Sequence, residues 1–571
     1  MPDVLTPPKP PKRPTPVADG PIALDPRQLA HARLFSAEAR DKALRVIVRH
    51  PDPDAEKTLI PERKLSINAL RPDLKRFHGA KIALTWFPWW LWRTPCSDKF
   101  GYLTPASIRT ATKLPFDFAT QTLLGKLGDF MADPSRGAGA ESTIPAGYTY
   151  FGQFVDHDIT LDISSTLDAP VDATTINNMR TPSLDLDSVY GRGPALDAFL
   201  YDFPTSGPPS AVKLHLGTNT PSGAGGPGGA GGFGGMQVQT DFDVPRVVNP
   251  INPALSTQTA IIGDPRNDEN LIVSQFHHAM LKFHNQVVEG LVATGFSGDI
   301  FVEAKKIVTH HYQWAVVHDF LGRVCGNAAV SAALSSVTAA PNSAFSMPVE
   351  FAVAAYRFGH SMIRDSYWVN FIQIGATLDQ VFAFARKPNL PVLSNWVVDF
   401  NAFFSTGFTV PVNNKAKKID SVLAPGLDTL PGFSGMMAML ATRNLRRGLA
   451  LGLPSGQGVA QHYGIAPMTA AQLKQGLPPG EAALLDSNGG ILLSKTPLWY
   501  YCLREAAVLN SGNQLGPVGG RIVAETFVRM LKRNPDSYLN VSGGFTPGLP
   551  SATPGDFTVA DLVNFAGVTV P

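Results

Sequence analysis

The 571-residue chain carries 48 lysines and arginines against 46 aspartates and glutamates, which leaves no global field to collect nucleic acid or an anionic membrane. Charged residues are only 16% of the total, well below the usual quarter, so a polyelectrolyte partner is excluded as the main business of this surface. Three distant cysteines, Cys96, Cys325 and Cys502, form neither a disulfide framework nor a zinc pattern, and a reducing compartment fits them best.

The opening MPDVLTPPKPPKRPTPVADGP has no apolar core like that of a secretory signal, and residues 1–25 read as a disordered, polyproline-like arm. That reading expects a cytoplasmic protein, or one exported by a route other than a cleaved signal. A charged amphipathic stretch, 26–78, reads as an appendage, and 79–571 as one large domain. No apolar run approaches the roughly 20 residues of a membrane span. Next comes KIALTWFPWWLWRTP, with Trp86, Trp89, Trp90 and Trp92. It reads as aromatic packing between the N-terminal segment and the main domain. An interfacial anchor or a greasy substrate mouth is the sharper alternative, and membrane association is not favoured.

Beyond the tryptophans most segments carry helical periodicity. In ENLIVSQFHHAMLKFHNQVVEGL, Ile272, Phe276, Met280, Phe283 and Val287 recur at three- and four-residue steps, as on one face of a long helix. Similar spacing predicts helices at 303–324, 347–363, 433–451 and 519–533, while alternating strand patterns are scarce. The expected class is therefore mainly α: a large single helical domain with few short strands. The glycine-rich run at 221–236 lacks the flanking strand and helix of a phosphate loop and reads as a flexible surface insertion.

Five stretches carry chemistry. TYFGQFVDHDIT sets His157 between Asp156 and Asp158. Three consecutive side chains cannot face one pocket from a regular element, and on these residues alone metal ligation and acid–base work are both open. The spacing of a non-haem iron triad and the His-Glu-x-x-His of zinc hydrolases are absent. In RTPSLDLDSVYG, Thr181, Ser183, Asp185 and Asp187 fall at every second position. In an extended loop they face one side and offer the hard oxygen ligands that calcium takes, without the glycine and glutamate of an EF-hand. AAYRFGHSMIR holds Arg357 and His360. GDPRNDEN places Arg266 and Glu269 three apart, on one helical face, and ATRNLRRGL sets Asn444 among basic residues.

GQFVDHD, DLDSVYG, GDPRNDEN, YRFGH and RNLRRG resemble, in the same order, motifs of the animal-type haem peroxidases (the peroxidase–cyclooxygenase superfamily), bacterial members most closely. The likeness runs from about residue 80 to the end and includes FTVADLVNFAGV at 557–568. It implies a haem peroxidase fold and an enzyme that reduces hydrogen peroxide and oxidises small donors such as iodide, bromide, thiocyanate or phenols. It further implies His157 as distal histidine, Arg266 as distal arginine and Gln153 near the halide and water positions. His360 would be the proximal ligand to the iron of haem b, with Asn444 accepting its other ring N–H. Asp156 and Glu269 would be ester links to haem methyl groups, and Arg357 and Arg447 neighbours of its propionates. Asp158, Thr181, Ser183, Asp185 and Asp187 would form a calcium site.

Acid–base help by a positioned histidine, fixed positive charge near a departing oxygen, and a neutral imidazole ligand that leaves the sixth iron position open all suit peroxide chemistry. Three departures narrow the expectation. Asn270 stands where one branch of the family has a methionine that links to haem, which points to at most two ester links and away from chloride. LALGLP, 449–454, replaces the family's RDHGLP. Cyclooxygenases and fatty-acid dioxygenases carry a radical tyrosine three residues before the proximal histidine. Here that position is Arg357, with Tyr356 four before, which favours peroxidase over a fatty-acid dioxygenase or peroxygenase. A non-catalytic haem- or calcium-binding scaffold is the remaining alternative, and the presence of both His157 and Arg266 argues against it.

Overall fold

Helices built on the expected apolar spacing dominate the computed structural model, which describes residues 99–136, 139–162, 167, 169–219, 242–247, 258–383, 391–428 and 438–569. The arm at 1–25, the appendage at 26–78, the tryptophan-rich stretch and the glycine-rich insertion at 221–236 lie outside these residues. The described residues belong to one compact unit. The architecture is mainly α. Strands are short and pair two by two: Phe100–Gly101 with Met347–Pro348, Glu141–Pro145 with Lys415–Lys417, Tyr201–Asp202 with Lys213–Leu214, and Ser366–Trp368 with Ile374–Thr377. None of the described helices is long and apolar enough to cross a membrane.

Seven helices place the site: α1 (Phe118–Met131), α2 (Gly147–Ile159), α3 (Leu271–Ala293), α4 (Ile300–Trp314), α5 (Leu440–Ala450), α6 (Leu498–Asn510) and α7 (Pro517–Arg533). Three of the starts, those of α1, α3 and α4, follow from capping side chains. Asp117 accepts from Thr120 N, Asn270 from Val273 N and Asp299 from Val302 N, while Pro517 opens α7 where its missing N–H costs nothing. α2 packs on α3 through Phe151 and Phe154, whose rings stand edge-on to Phe276 with centroids 5.4 and 5.2 Å away. Each fully buried phenylalanine contributes roughly 1.5–3 kcal/mol, so this seam fixes the depth at which α2 sits. α1 and α5 touch even more closely. A Cβ on Gly128 would lie 2.2 Å from Thr442 Oγ1, so only glycine admits the approach that carries α5 to the site.

Two expected helices take other forms. The 303–324 run passes from α4 through a π-helical turn, Ala315–Phe320, into Leu321–Val324. Such turns recur at functional sites, and this one brings Phe320 to a cavity wall. The predicted helix at 347–363 is instead the strand Met347–Pro348, one turn at Val349–Ala352 and a 3₁₀ segment at Ala355–Met362. Tertiary contacts override the periodicity here. Met347 pairs in parallel with Phe100, Ala354 leaves helical geometry at φ −132° and ψ −81°, and Phe351 stacks on Tyr356 at 4.7 Å. The tighter 3₁₀ path carries His360.

Candidate active site

Steps of about 100° per residue divide α2 into two faces. Phe151, Phe154, Val155 and Asp158 turn inward and are buried, while Gln153, Asp156 and His157 share the lining of a cavity. Asp156 and His157 thus meet the same cavity, and the next residue, Asp158, turns away from it. The cavity holds about 1120 Å³ of empty space, part of it open to solvent, and His360 lines it together with His157, Glu269 and Arg357. Tyr148, Tyr150, Met362, Phe382 and Leu440 supply apolar wall.

Asp156 takes a bond from Thr160 Oγ1 at 2.8 Å. Burial pushes its carboxyl above the usual range, against the pull of Arg266. Gln153 donates from Nε2 to Glu269 Oε1 and accepts from Asn270 Nδ2 at 3.1 Å, which ties α2 to the start of α3. His157 Nε2 lies 3.7 Å from Glu269 Oε1, and its Nδ1 lies 2.8 Å from Asn267 Oδ1. Burial first, then Arg266, lowers the imidazole to about 3, so His157 is neutral at pH 7. Arg266 does not line this cavity. Its guanidinium bonds Asp264 (Nε at 3.2 Å, a second nitrogen at 2.8 Å) and the carbonyl of His157 at 2.9 Å. Burial opposes the charge on Arg266, yet Asp264 holds its pKa above the ordinary value.

Asn444 on α5 meets His360 Nδ1 at 2.8 Å, but through Nδ2, while its oxygen accepts from Arg357. This is the reverse of the expected sense, in which the amide oxygen accepts the imidazole N–H. Burial, then Arg357 and Arg443, holds His360 well below 6.5. Arg357 is lowered to about 10 by burial and Arg447, and Arg443 to about 9 by burial and Arg357. Arg447 pairs with Asp162 at 3.1 Å. With Arg266, Arg357 and Asp156 it lines an adjoining cavity of about 470 Å³. The carboxylate of Asp162 lines it too, so the three arginines share that wall with two acids.

On the far face of α2 the carboxylates of Asp158, Asp185 and Asp187 each bring an oxygen within 4.8 Å of the others. Asp158 also accepts from Leu186 N (3.2 Å), Ser188 Oγ (3.1 Å) and Tyr312 Oη (3.5 Å). Asp187 takes bonds from Arg180 at 3.1 Å and Thr181 N at 3.2 Å. The loop is not extended as expected. Leu184 and Leu186 adopt left-handed geometry at φ 51° and 58°, with both side chains buried. Backbone turns, not a flat strand, aim the two aspartates. Thr181 and Ser183 lie on the same loop, joined by the bond from Ser183 N to Thr181 O at 2.9 Å.

Sequence reasoning missed Asn267, Asp264, Arg180 and Arg443. Arg443 had a signal, because it stands four residues before Arg447 on the same face of α5. Asp264 had one too, standing two residues before Arg266, whereas Asn267 and Arg180 depend on long-range contacts that no local spacing announces.

The mainly helical fold has a counterpart among solved structures. The fatty acid alpha-dioxygenase of Oryza sativa superposes with a TM-score of 0.51 at 12% identity, over 90% of this chain and 91% of that one. Peroxidase A of Dictyostelium discoideum gives a TM-score of 0.49 at 16% identity, over 70% of this chain and 80% of that one. The profile of the animal haem peroxidase family matches residues 169–538, well over half of the sequence, and the chain belongs to that family. The matched span begins after α2. A peroxidase-like protein of Margaritifera margaritifera is 32% identical over 131 residues, which is 21% of this chain and 16% of the relative's length.

Proposed function

We propose that the protein is a haem peroxidase that reduces hydrogen peroxide and oxidises small donors, such as iodide, bromide, thiocyanate or phenols, in the cavity between His157 and His360. The observation that carries this reading is the pair of neutral imidazoles lining one cavity, the half-buried His360 backed by an amide of α5 and the buried His157 by an amide of the 265–268 turn. Haem suits the donors present: His360 as iron ligand, Asp156 and Glu269 as ester partners, and Arg357, Arg443 and Arg447 as counter-charges for propionates. When bound, it supplies iron that exchanges electrons with peroxide.

The chain's own residues do the rest. His157 takes the proton of the attacking peroxide oxygen on Nε2 and returns it to the departing one, a role typically worth ~10²–10⁴-fold. Arg266 acts from behind, as a fixed charge that keeps His157 neutral. Gln153 orients Glu269 and is itself held by Asn270, near the place for water or halide. An iron-bound His360 carries its proton on Nδ1, so Asn444 must present its oxygen there, opposite to the sense seen here. Asp158, Asp185 and Asp187, with oxygens from Thr181 and Ser183, hold calcium. Residues 79–571 form the peroxidase domain, preceded by an arm and an appendage.

Arg357 at the place of a radical tyrosine favours peroxidase chemistry over the activity named for the Oryza protein. Tyr356, four before His360, is bonded to Gly152 O at 3.1 Å. A steady-state panel of iodide, bromide, thiocyanate, phenols and an unsaturated fatty acid decides the matter. Oxygen uptake with the fatty acid and no turnover of the other donors would overturn the reading. Two further outcomes are expected. His360→Ala weakens haem retention by ~10–100-fold while His157→Ala retains it, read from the Soret absorbance. After peroxide treatment, acid–acetone leaves haem on the wild-type chain and extracts it from Asp156→Ala/Glu269→Ala. Full extraction from the wild type would remove the ester assignment.

A further inference from the structure

His157 is the first member of a buried chain of three side chains. Its Nδ1 lies 2.8 Å from Oδ1 of Asn267, and Nδ2 of that amide lies 3.0 Å from Nδ1 of His277 on α3. The three residues are 1%, 0% and 0% exposed, so water does not compete for these bonds. An amide has one accepting end and one donating end, so its orientation sets both imidazole tautomers together. With oxygen toward His157, that ring carries its proton on Nδ1 and its lone pair on Nε2. His277 then accepts on Nδ1 and carries its proton on Nε2.

The surroundings hold this arrangement still. Asn267 N donates to Asp264 O at 3.0 Å within the 265–268 turn. The next residue, Asp268, is clamped by Arg246 at 2.8 and 2.9 Å and by Ser274 Oγ at 3.0 Å. His277 Nε2 has no hydrogen-bond partner among the described residues, and its ring packs edge-on to Phe154 at 6.1 Å. A chain that ends in the aromatic core cannot pass protons onward. What it can do is orient.

We propose that Asn267 and His277 are positioning residues for the peroxide reaction, holding His157 in the tautomer whose Nε2 receives the peroxide proton. This rests on His157 being the proton acceptor proposed above. His277 acts through Asn267: by accepting from Nδ2 it keeps the amide oxygen toward His157.

The test uses the haem-loaded protein and two readouts. One is the rate of Soret change with hydrogen peroxide. The other is the association rate of cyanide with the resting ferric protein, which involves no turnover and needs the proton of HCN taken up at Nε2. Asn267→Leu should slow both by ~10²–10³-fold, within the loss set by His157→Ala, with haem content unchanged. Asn267→Asp keeps an oxygen facing Nδ1 and should lie within ~10-fold of wild type. His277→Leu should slow both by ~10-fold, and His277→Gln, whose carbonyl can accept from Asn267, should recover most of the loss. Wild-type rates in Asn267→Leu beside slow rates in His157→Ala overturn the positioning role alone. Wild-type rates in His157→Ala overturn the reading beneath it. Should Asn267→Leu fail to fold, equal losses in His277→Leu and His277→Gln, or equal haem-normalised losses in Asn267→Asp and His157→Ala, overturn the proposal.

Discussion

His157→Ala is expected to slow the reaction with hydrogen peroxide by ~10²–10⁴-fold while leaving haem content unchanged. The size follows from the loss of the only step in which a side chain handles the peroxide proton. The pH profile sharpens the expectation. An exposed histidine loses its basic form below about 6.5. Burial and Arg266 lower His157 to about 3, so its neutral form persists through the acid range. The wild-type rate should stay flat from neutrality down to about pH 4 and fall only as the pH approaches 3, in pH-jump stopped flow that outruns acid unfolding. An acid limb near 6.5 would show that a different or solvated group takes the proton. A loss of haem in His157→Ala equal to that in His360→Ala would show that the two histidines do not divide the work as assigned.

How far the sequence carries toward this site depends on the range of each contact. That Asp158 diverges from His157 was legible, because helical pitch alone separates neighbours by about 100°, but that Asp156 and His157 line one cavity was not. The helix at 271–293 was legible from the three- and four-residue spacing of its apolar face, though its Asn270 cap was not read. The alternation of Thr181, Ser183, Asp185 and Asp187 implied an extended geometry that the loop does not have. Left-handed turns at Leu184 and Leu186 replace the extended strand. The 347–363 segment misled because apolar spacing does not report that Met347 pairs with Phe100. Asn267 and His277 were invisible. They reach His157 across 110 and 120 positions of chain, and only the α2–α3 seam brings them together. The spacing of Arg266 and Glu269 did not show that Arg266 is engaged by Asp264, two residues earlier, and stays out of the cavity that Glu269 lines.

Calcium is expected to stabilise the protein, and more strongly as the pH rises. Asp158 lies among the carboxylates of Asp185 and Asp187, and burial, then Asp185, lifts it to about 7. A group whose folded pKa is raised contributes stability fully present below its unfolded value, 3.8, and lost as the pH climbs through about 7. Without metal the fold should therefore weaken as the pH rises from 4 to 7. A divalent ion reverses the sign, because it binds the deprotonated carboxylates. At a hundredfold excess over its Kd it adds ~2.7 kcal/mol. Thermal melting in EGTA and in calcium should therefore diverge from pH 5 to pH 8, and magnesium should not replace calcium, since its small octahedral shell dehydrates reluctantly. Asp185→Asn separates metal binding from generic charge. It removes the repulsion on Asp158, so it should raise the metal-free melting temperature at pH 8 and abolish the rise on adding calcium. A melting temperature indifferent to both calcium and EGTA at pH 8 would sink the site. The consequence reaches the chemistry, because Asp158 is the residue after His157. An ion held by Asp158 fixes the end of α2 against the 180–188 loop, and with it the angle at which the imidazole meets the cavity.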